Sequence, residues 1–141
     1  MTAKDYLRKL KITDYAIVAR MEELERLDRE QTYLSGIDYT ADRVQTSPKN
    51  EMFPKSDKRL DLALRIKKAI RDLQIIRERI ISEITGLENA NYSKLLYERY
   101  VNYRSFEEIA CMMGYSYVRV IHMHGEALQA FADKYLPADK S

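Results

Sequence analysis

Three features of this sequence predict an all-α chain: few turn residues, two long stretches of helical hydrophobic period, and two short stretches that open on capping residues. Four Gly and three Pro among 141 residues, against 33% charged side chains, leave too few turn formers for a sheet protein, in which every hairpin needs its own. At 45% hydrophobic, a chain of this length buries one modest core. The fold class is a long, coiled-coil-like helical hairpin followed by a trihelical helix-turn-helix unit.

The first helix is read from Ala3 to Leu34. Leu7, Leu10, Ile17, Met21, Leu24 and Leu27 recur mostly three, four or seven apart with charges between them, as one apolar helical stripe requires. The segment "SGIDYTADRVQTSPKNEMFPKSD" then brings Gly36, Pro48 and Pro54, which stop the period and predict a loop near 35–56. That loop still holds Ile37, Tyr39, Val44, Met52 and Phe53, apolar surface suited to folding back on the helices. From Asp57 to Leu87 the series Ala63, Ile66, Ile70, Leu73, Arg77, Ile80, Ile84, Leu87 alternates steps of three and four, with Asp57 as N-cap and Gly86 as terminator. Neither stripe hides itself, so residues 1–88 are expected to pair as an antiparallel hairpin and to offer a homodimer surface through the long helices.

Residues 89–136 are read as a separate unit, with 137–141 as a tail. Ser105 followed by Glu108 is a capping box, in which each side chain accepts from the other residue's backbone N–H. Phe106, Ile109, Ala110 and Met113 fall on one face of the helix so opened, leaving Glu107, Glu108 and Cys111 toward solvent. Gly114 ends it, and Ser116 caps the next. Helix, glycine-containing turn and helix make a helix-turn-helix. Leu95, Leu96, Tyr100 and Val101 supply a third helix to close its core.

On the last helix, about 100° per residue gathers Val120, Met123, His124, Ala127, Leu128 and Phe131 inward. If this helix enters a major groove, its outward N-terminal residues meet base edges. The DNA-binding candidates are therefore Ser116, Tyr117, Val118, Arg119, Ile121, His122 and Gly125, the glycine allowing close approach of backbone to duplex.

The stretch Ser105 to Phe131 resembles the DNA-binding fourth region of bacterial primary sigma factors. The resemblance is carried by Glu107-Glu108-Ile109-Ala110, by Gly114 and Ser116 at the corner, and by Arg119, Val120, Met123, Ala127 and Leu128. The whole chain is similar to small phage and prophage proteins in which a tract like "LLYERYVNYRSFEEIACMMGYS" runs into an ending like "HMHGEAL". Related regulators of phage late, packaging and lysis genes share that arrangement, so the resemblance implies transcriptional control through double-stranded DNA, with RNA polymerase as a further partner, in the cytoplasm of a bacterial host. Carried onto matching positions, the sigma-factor readers are Tyr117, Val118, Ile121 and His122, where that family usually has charged or amide side chains. The sigma-factor operator is therefore not implied, and without Trp or room for a promoter-melting domain the chain is not expected to be a free-standing sigma factor.

Several other functions are argued against. The net charge is +2 and the pI about 8.6, too mild to announce nucleic-acid binding by itself. From Asn89 onward, Lys94, Arg99, Arg104, Arg119, Lys134 and Lys140 are matched one for one by Glu98, Glu107, Glu108, Glu126, Asp133 and Asp139, so the unit alone needs help to hold phosphates. Arg65, Lys67, Lys68, Arg71, Arg77 and Arg79 are interleaved with Asp61, Asp72, Glu78 and Glu83 and read as a solvated helix face. His122 and His124 point about 160° apart on a helix, which argues against a shared metal, and no cofactor is expected. The tyrosines are read as core: Tyr92, Tyr100 and Tyr103 are spaced to pack on the helices rather than to stack on bases. With no glycine-rich phosphate loop, nucleophile elbow or H-E-x-x-H pattern, no enzyme is expected. The single Cys111 and the charged start "MTAKDYLRKLK" fit a reducing compartment without a signal peptide, and no apolar run nears the roughly 20 residues of a membrane span. Two alternatives stand beside the regulator: a DNA-packaging component like a small terminase subunit, and an adaptor that binds RNA polymerase or another protein.

Overall fold

The structure is a computed structural model; it describes the backbone of residues 1–41 and 48–137 and the side chains of 1–30 and 57–137. Among these the elements are α1 (Ala3–Ala41), α2 (Pro48–Thr85), α3 (Ala90–Leu96), a π-helical turn (Tyr97–Val101), α4 (Phe106–Met113) and α5 (Tyr117–Tyr135), so the fold is all-α. No described helix is long and apolar enough to cross a membrane.

Positions 35–41 and 48–56, expected to be loop, belong to α1 and α2, while 42–47 lie outside the described residues. The composition misled at two points. Pro48 stands at the first helical position of α2, where its missing N–H has no intrahelical partner to lose and its fixed φ suits the helix. Asp57 is then no cap, since α2 has already run nine residues.

The chain divides into two compact units, residues 1–14 with 75–141, and residues 15–74. The second contains a small core of Ile17, Leu27, Ile66 and Ile70, flanked by Leu24, Ala63 and Leu73. Met21, expected in this stripe, is 50% exposed. It lies about 40° beyond Ile17, on the side away from Leu24 and Leu27.

The first unit carries the candidate site. Leu7 and Leu10 of α1, Ile80 and Ile84 of α2, Leu96 and Tyr100 of the α3 region, and Ala127 and Phe131 of α5 share one buried cluster. Polar pairs set the antiparallel run of α1 past α2: Tyr6 donates to the Glu83 carboxylate, and Arg77 Nε meets Asp14 at 2.7 Å. Burial, reinforced by the Glu83 bond, raises the Tyr6 hydroxyl to about 12, so Tyr6 remains a donor throughout the neutral range. At the far end of α2, Lys134 donates to the Gly86 carbonyl at 2.6 Å, capping a helix terminus with a cation. A side chain at Gly86 would meet the Tyr135 hydroxyl at 2.5 Å, so a bare backbone suits this crossing.

The third helix does not run regularly to Val101. After Leu96 it widens into the π-helical turn, closed by Asn102 N–H to the Tyr97 carbonyl at 3.2 Å. Leu95 and Leu96, about 100° apart on the regular helix, serve different buried clusters, and Tyr100 and Val101 of the π-helical turn join the cluster of Leu96. Tyr103, expected in the core, is instead exposed and takes φ 58°, its hydroxyl donating to Asp14.

Leu95, Ile109, Ala110, Val120 and Met123 form the core of the helix-turn-helix. Gly114 takes φ 72° between α4 and α5, and a Cβ there would meet nothing within 4 Å. The cost of a side chain at this corner is therefore conformational alone, of order 1–2 kcal/mol. We predict that Gly114→Ala lowers unfolding stability by about 1–2 kcal/mol in a urea titration, and that Gly114→Asn lowers it less, since Asn tolerates the left-handed region. Equal stability of all three chains would contradict the assignment of this corner.

Candidate nucleic-acid interface

Two capped helix starts build the site. Ser105 Oγ accepts from Glu108 N–H at 3.2 Å, and the Glu108 carboxylate accepts from Ser105 N–H at 3.3 Å, completing the capping box. The Ser105 backbone and hydroxyl bonds hold the Glu108 carboxyl below its ordinary value. Arg104 ties this start to the preceding turn, reaching Glu98 at 3.2 Å and Glu108 at 3.5 Å. Buried Glu98 also accepts from Asn102 at 2.6 Å, so its carboxylate does not lie unsatisfied. Ser116 begins α5 in the same manner, its hydroxyl accepting from Arg119 N–H at 3.1 Å.

Every residue expected to face DNA is exposed: Ser116, Tyr117, Val118, Arg119, Ile121, His122 and Gly125. Exposure of 48% at Tyr117, 62% at Val118 and 38% at Ile121 is high for such side chains and leaves the start of α5 bare on one flank. Ser116 departs from the rest, because its hydroxyl oxygen is committed to the cap. The inner face is Val120, Met123, Ala127 and Phe131, as the helical period requires. Gly125 has open space where a side chain would stand.

By helical angle, the exposed residues of α5 sweep an arc of about 200°, from Tyr117 through Ile121, Gly125 and His122 to Arg119. At the Arg119 edge, its guanidinium lies over the Tyr115 ring at 4.7 Å, and the Tyr115 hydroxyl receives Asn91 Nδ2 at 3.4 Å. This stack predetermines the position of a flexible cation. Arg119 and His122 line a hollow of about 420 Å³ with Asn91 and Glu126, so one acid stands among the groups that would approach phosphate. At the opposite edge, Gly125, Leu128 and Gln129 share a cleft with Met1 to Lys4 of the chain's start.

His124 faces inward, as expected. Its Nε2 lies 2.8 Å from the Tyr100 hydroxyl, with Tyr100 stacked on the ring and Phe106 edge-on at 4.8 Å. Burial pushes the imidazole down from 6.5 to about 4, aided by the positive charges of Arg99 and Lys4. The ring is thus neutral near pH 7, and its Nε2 shares a hydrogen bond with the Tyr100 hydroxyl. Arg99, which the sequence does not single out, sits over the Phe106 ring at 4.1 Å and donates to the Arg104 carbonyl at 3.0 Å. No group of His, Cys, Asp and Glu able to hold a metal occurs among the described residues, and Cys111 is an exposed thiol.

Unfolding releases His124 from this pocket, so between pH 6.5 and about 4 the unfolded chain binds the extra proton and stability falls as pH is lowered. Because the ring is partly solvated, the loss is about 1 kcal/mol after allowing for solvent screening. Urea unfolding from about pH 7 down to about pH 4.5 should show this component in the native sequence and lack it in His124→Gln; identical pH profiles would contradict the buried, neutral assignment.

Comparison of the chain with protein-family models, with curated proteins and with solved structures gives no match to any of the three.

Proposed function

We propose that the chain is a sequence-specific double-stranded DNA-binding protein that acts through α4 and α5 as a helix-turn-helix, in transcriptional control of phage or prophage genes in a bacterial cytoplasm, and without an enzymatic role. The observation that carries this reading is the bare flank of α5. Tyr117, Val118, Arg119, Ile121, His122 and Gly125 stand exposed at the start of a helix propped on its inner side by Ile109 and Ala110 of α4. An α-helix of this kind fits a major groove of about 12 Å. Arg119 is suited to the guanine edge, His122 to a donor or acceptor on a base, and Val118 and Ile121 to thymine methyl groups.

One observation favours a second reading, an adaptor for RNA polymerase or another protein. Met112 of α4 joins Tyr117, Val118 and Ile121 as exposed apolar side chains around the corner, and aromatic residues and Met are enriched at protein interfaces.

The test is the double substitution Arg119→Ala with His122→Ala, verified for unchanged helicity and titrated against duplexes from the upstream regions that flank the encoding gene. Loss of base contacts predicts at least roughly ten-fold weaker binding to the preferred duplex. Unchanged affinity contradicts the reading. Binding to RNA polymerase without any salt-sensitive affinity for duplex would establish the adaptor instead.

A further inference from the structure

A helix in a major groove lies between two phosphate walls, so a helix-turn-helix gains affinity when cations stand on both sides of its recognition helix. On α5 the Arg119 edge supplies one cation, and the local charge there is offset by Glu126. The opposite edge is different. There the chain brings the start of α1 beside α5, with Met1 to Lys4 against Gly125, Leu128 and Gln129. Lys4, Arg8 and Lys11 are spaced four and three residues apart, so they form one line on α1. All three are exposed. Arg8 and Lys11 line a cleft of about 280 Å³ together with Arg99 and Tyr100.

From Lys4 to Lys11 the line is roughly 10 Å long at 1.5 Å per residue. One strand of a duplex carries a phosphate about every 3.4 Å of axis, so this length spans about three of them. Of the acids near the line, Asp14 is held by Arg77 at 2.7 Å and by the Tyr103 hydroxyl, while Asp5 stands in the first turn of α1 between Lys4 and Arg8. Arg99 is fixed over Phe106 and by its bond to the Arg104 carbonyl. The positive character of this edge is also felt by His124, whose imidazole is lowered in part by Arg99 and Lys4.

We propose that Lys4, Arg8 and Lys11 of α1, with Arg99, form a phosphate-contacting surface that grips the duplex backbone on the side of α5 opposite Arg119. This inference rests on the duplex-binding reading of α5 and assigns to the first helix a role in holding DNA. It also accounts for a charge-balanced helix-turn-helix segment that needs cations from elsewhere in the chain. Contacts of this kind carry no sequence information, so their loss weakens binding alike on all duplexes.

The test uses the full chain and two duplexes of about 30 base pairs, one from an upstream region bound by the native protein and one of scrambled sequence. Arg8→Ala with Lys11→Ala, at exposed helical positions where Ala preserves helicity, should weaken binding roughly ten-fold on both duplexes. The slope of log affinity against log salt should fall by about 1.8, for two lost phosphates. Arg8→Lys with Lys11→Arg should keep the native slope. If the Ala pair leaves affinity and slope unchanged while the Arg119 and His122 variant loses binding, the phosphate surface is overturned and the reading of α5 stands. If the native protein itself shows no salt-dependent affinity for either duplex, both fall.

Discussion

The left-handed backbone at Gly114, φ 72°, turns the chain between α4 and α5, and the disposition of the candidate surface follows from it. With the Ser116 cap, it closes one helix and opens the next within three residues, so that α5 leaves α4 at an angle instead of continuing its axis. Packing then settles which side of α5 is inside. Ile109, Val120, Ala127 and Phe131 are fully buried, and burying such side chains is worth about 1.5–3 kcal/mol for each of the larger ones. Rotating α5 to hide Val118 and Ile121 would expose Val120 and Met123 in their place. The bare flank is thus the complement of a well-filled inner face.

A second layer of structure stiffens this arrangement from below. Leu95 and Leu96 of α3 serve different clusters, and Glu98 of the π-helical turn gathers Asn102 and Arg104 beneath the start of α4. Tyr100 and Phe106 enclose His124 on α5, so the same short segment supports both helices of the corner. Arg99 joins this support to the surface, resting on Phe106 while lining the cleft with Arg8 and Lys11. One compact unit thus holds Arg119 and His122 of α5 together with Arg8, Lys11 and Arg99.

Local chemistry was legible in the sequence and tertiary juxtaposition was not. The capping box at Ser105 and Glu108, the corner at Gly114, the cap at Ser116 and the inner face of α5 each depend on residues within one or two turns, and all are present as read. The helical stretches 35–41 and 48–56 were hidden because Gly36, Pro48 and Pro54 mark loops in most contexts, whereas Pro48 occupies the one helical position that tolerates it best. The π-helical turn has no compositional mark, and it carries Tyr103 out of the core that its spacing suggested. Nothing in the order of residues places Arg8 and Lys11 beside Arg99, some ninety positions later; that meeting arises only when α1 packs on the α3 region through Leu7 and Tyr100.

Whether α5 seats its Tyr117-to-Gly125 flank in duplex DNA is tested most directly by an amide chemical-shift titration of the isotope-labelled chain with a bound upstream duplex. Duplex binding through α5 puts the largest shifts on the amides from Tyr117 to Gly125 and leaves residues around the Ile17, Leu27, Ile66 and Ile70 core unmoved. Shifts concentrated in that second core, with the start of α5 silent, would contradict it.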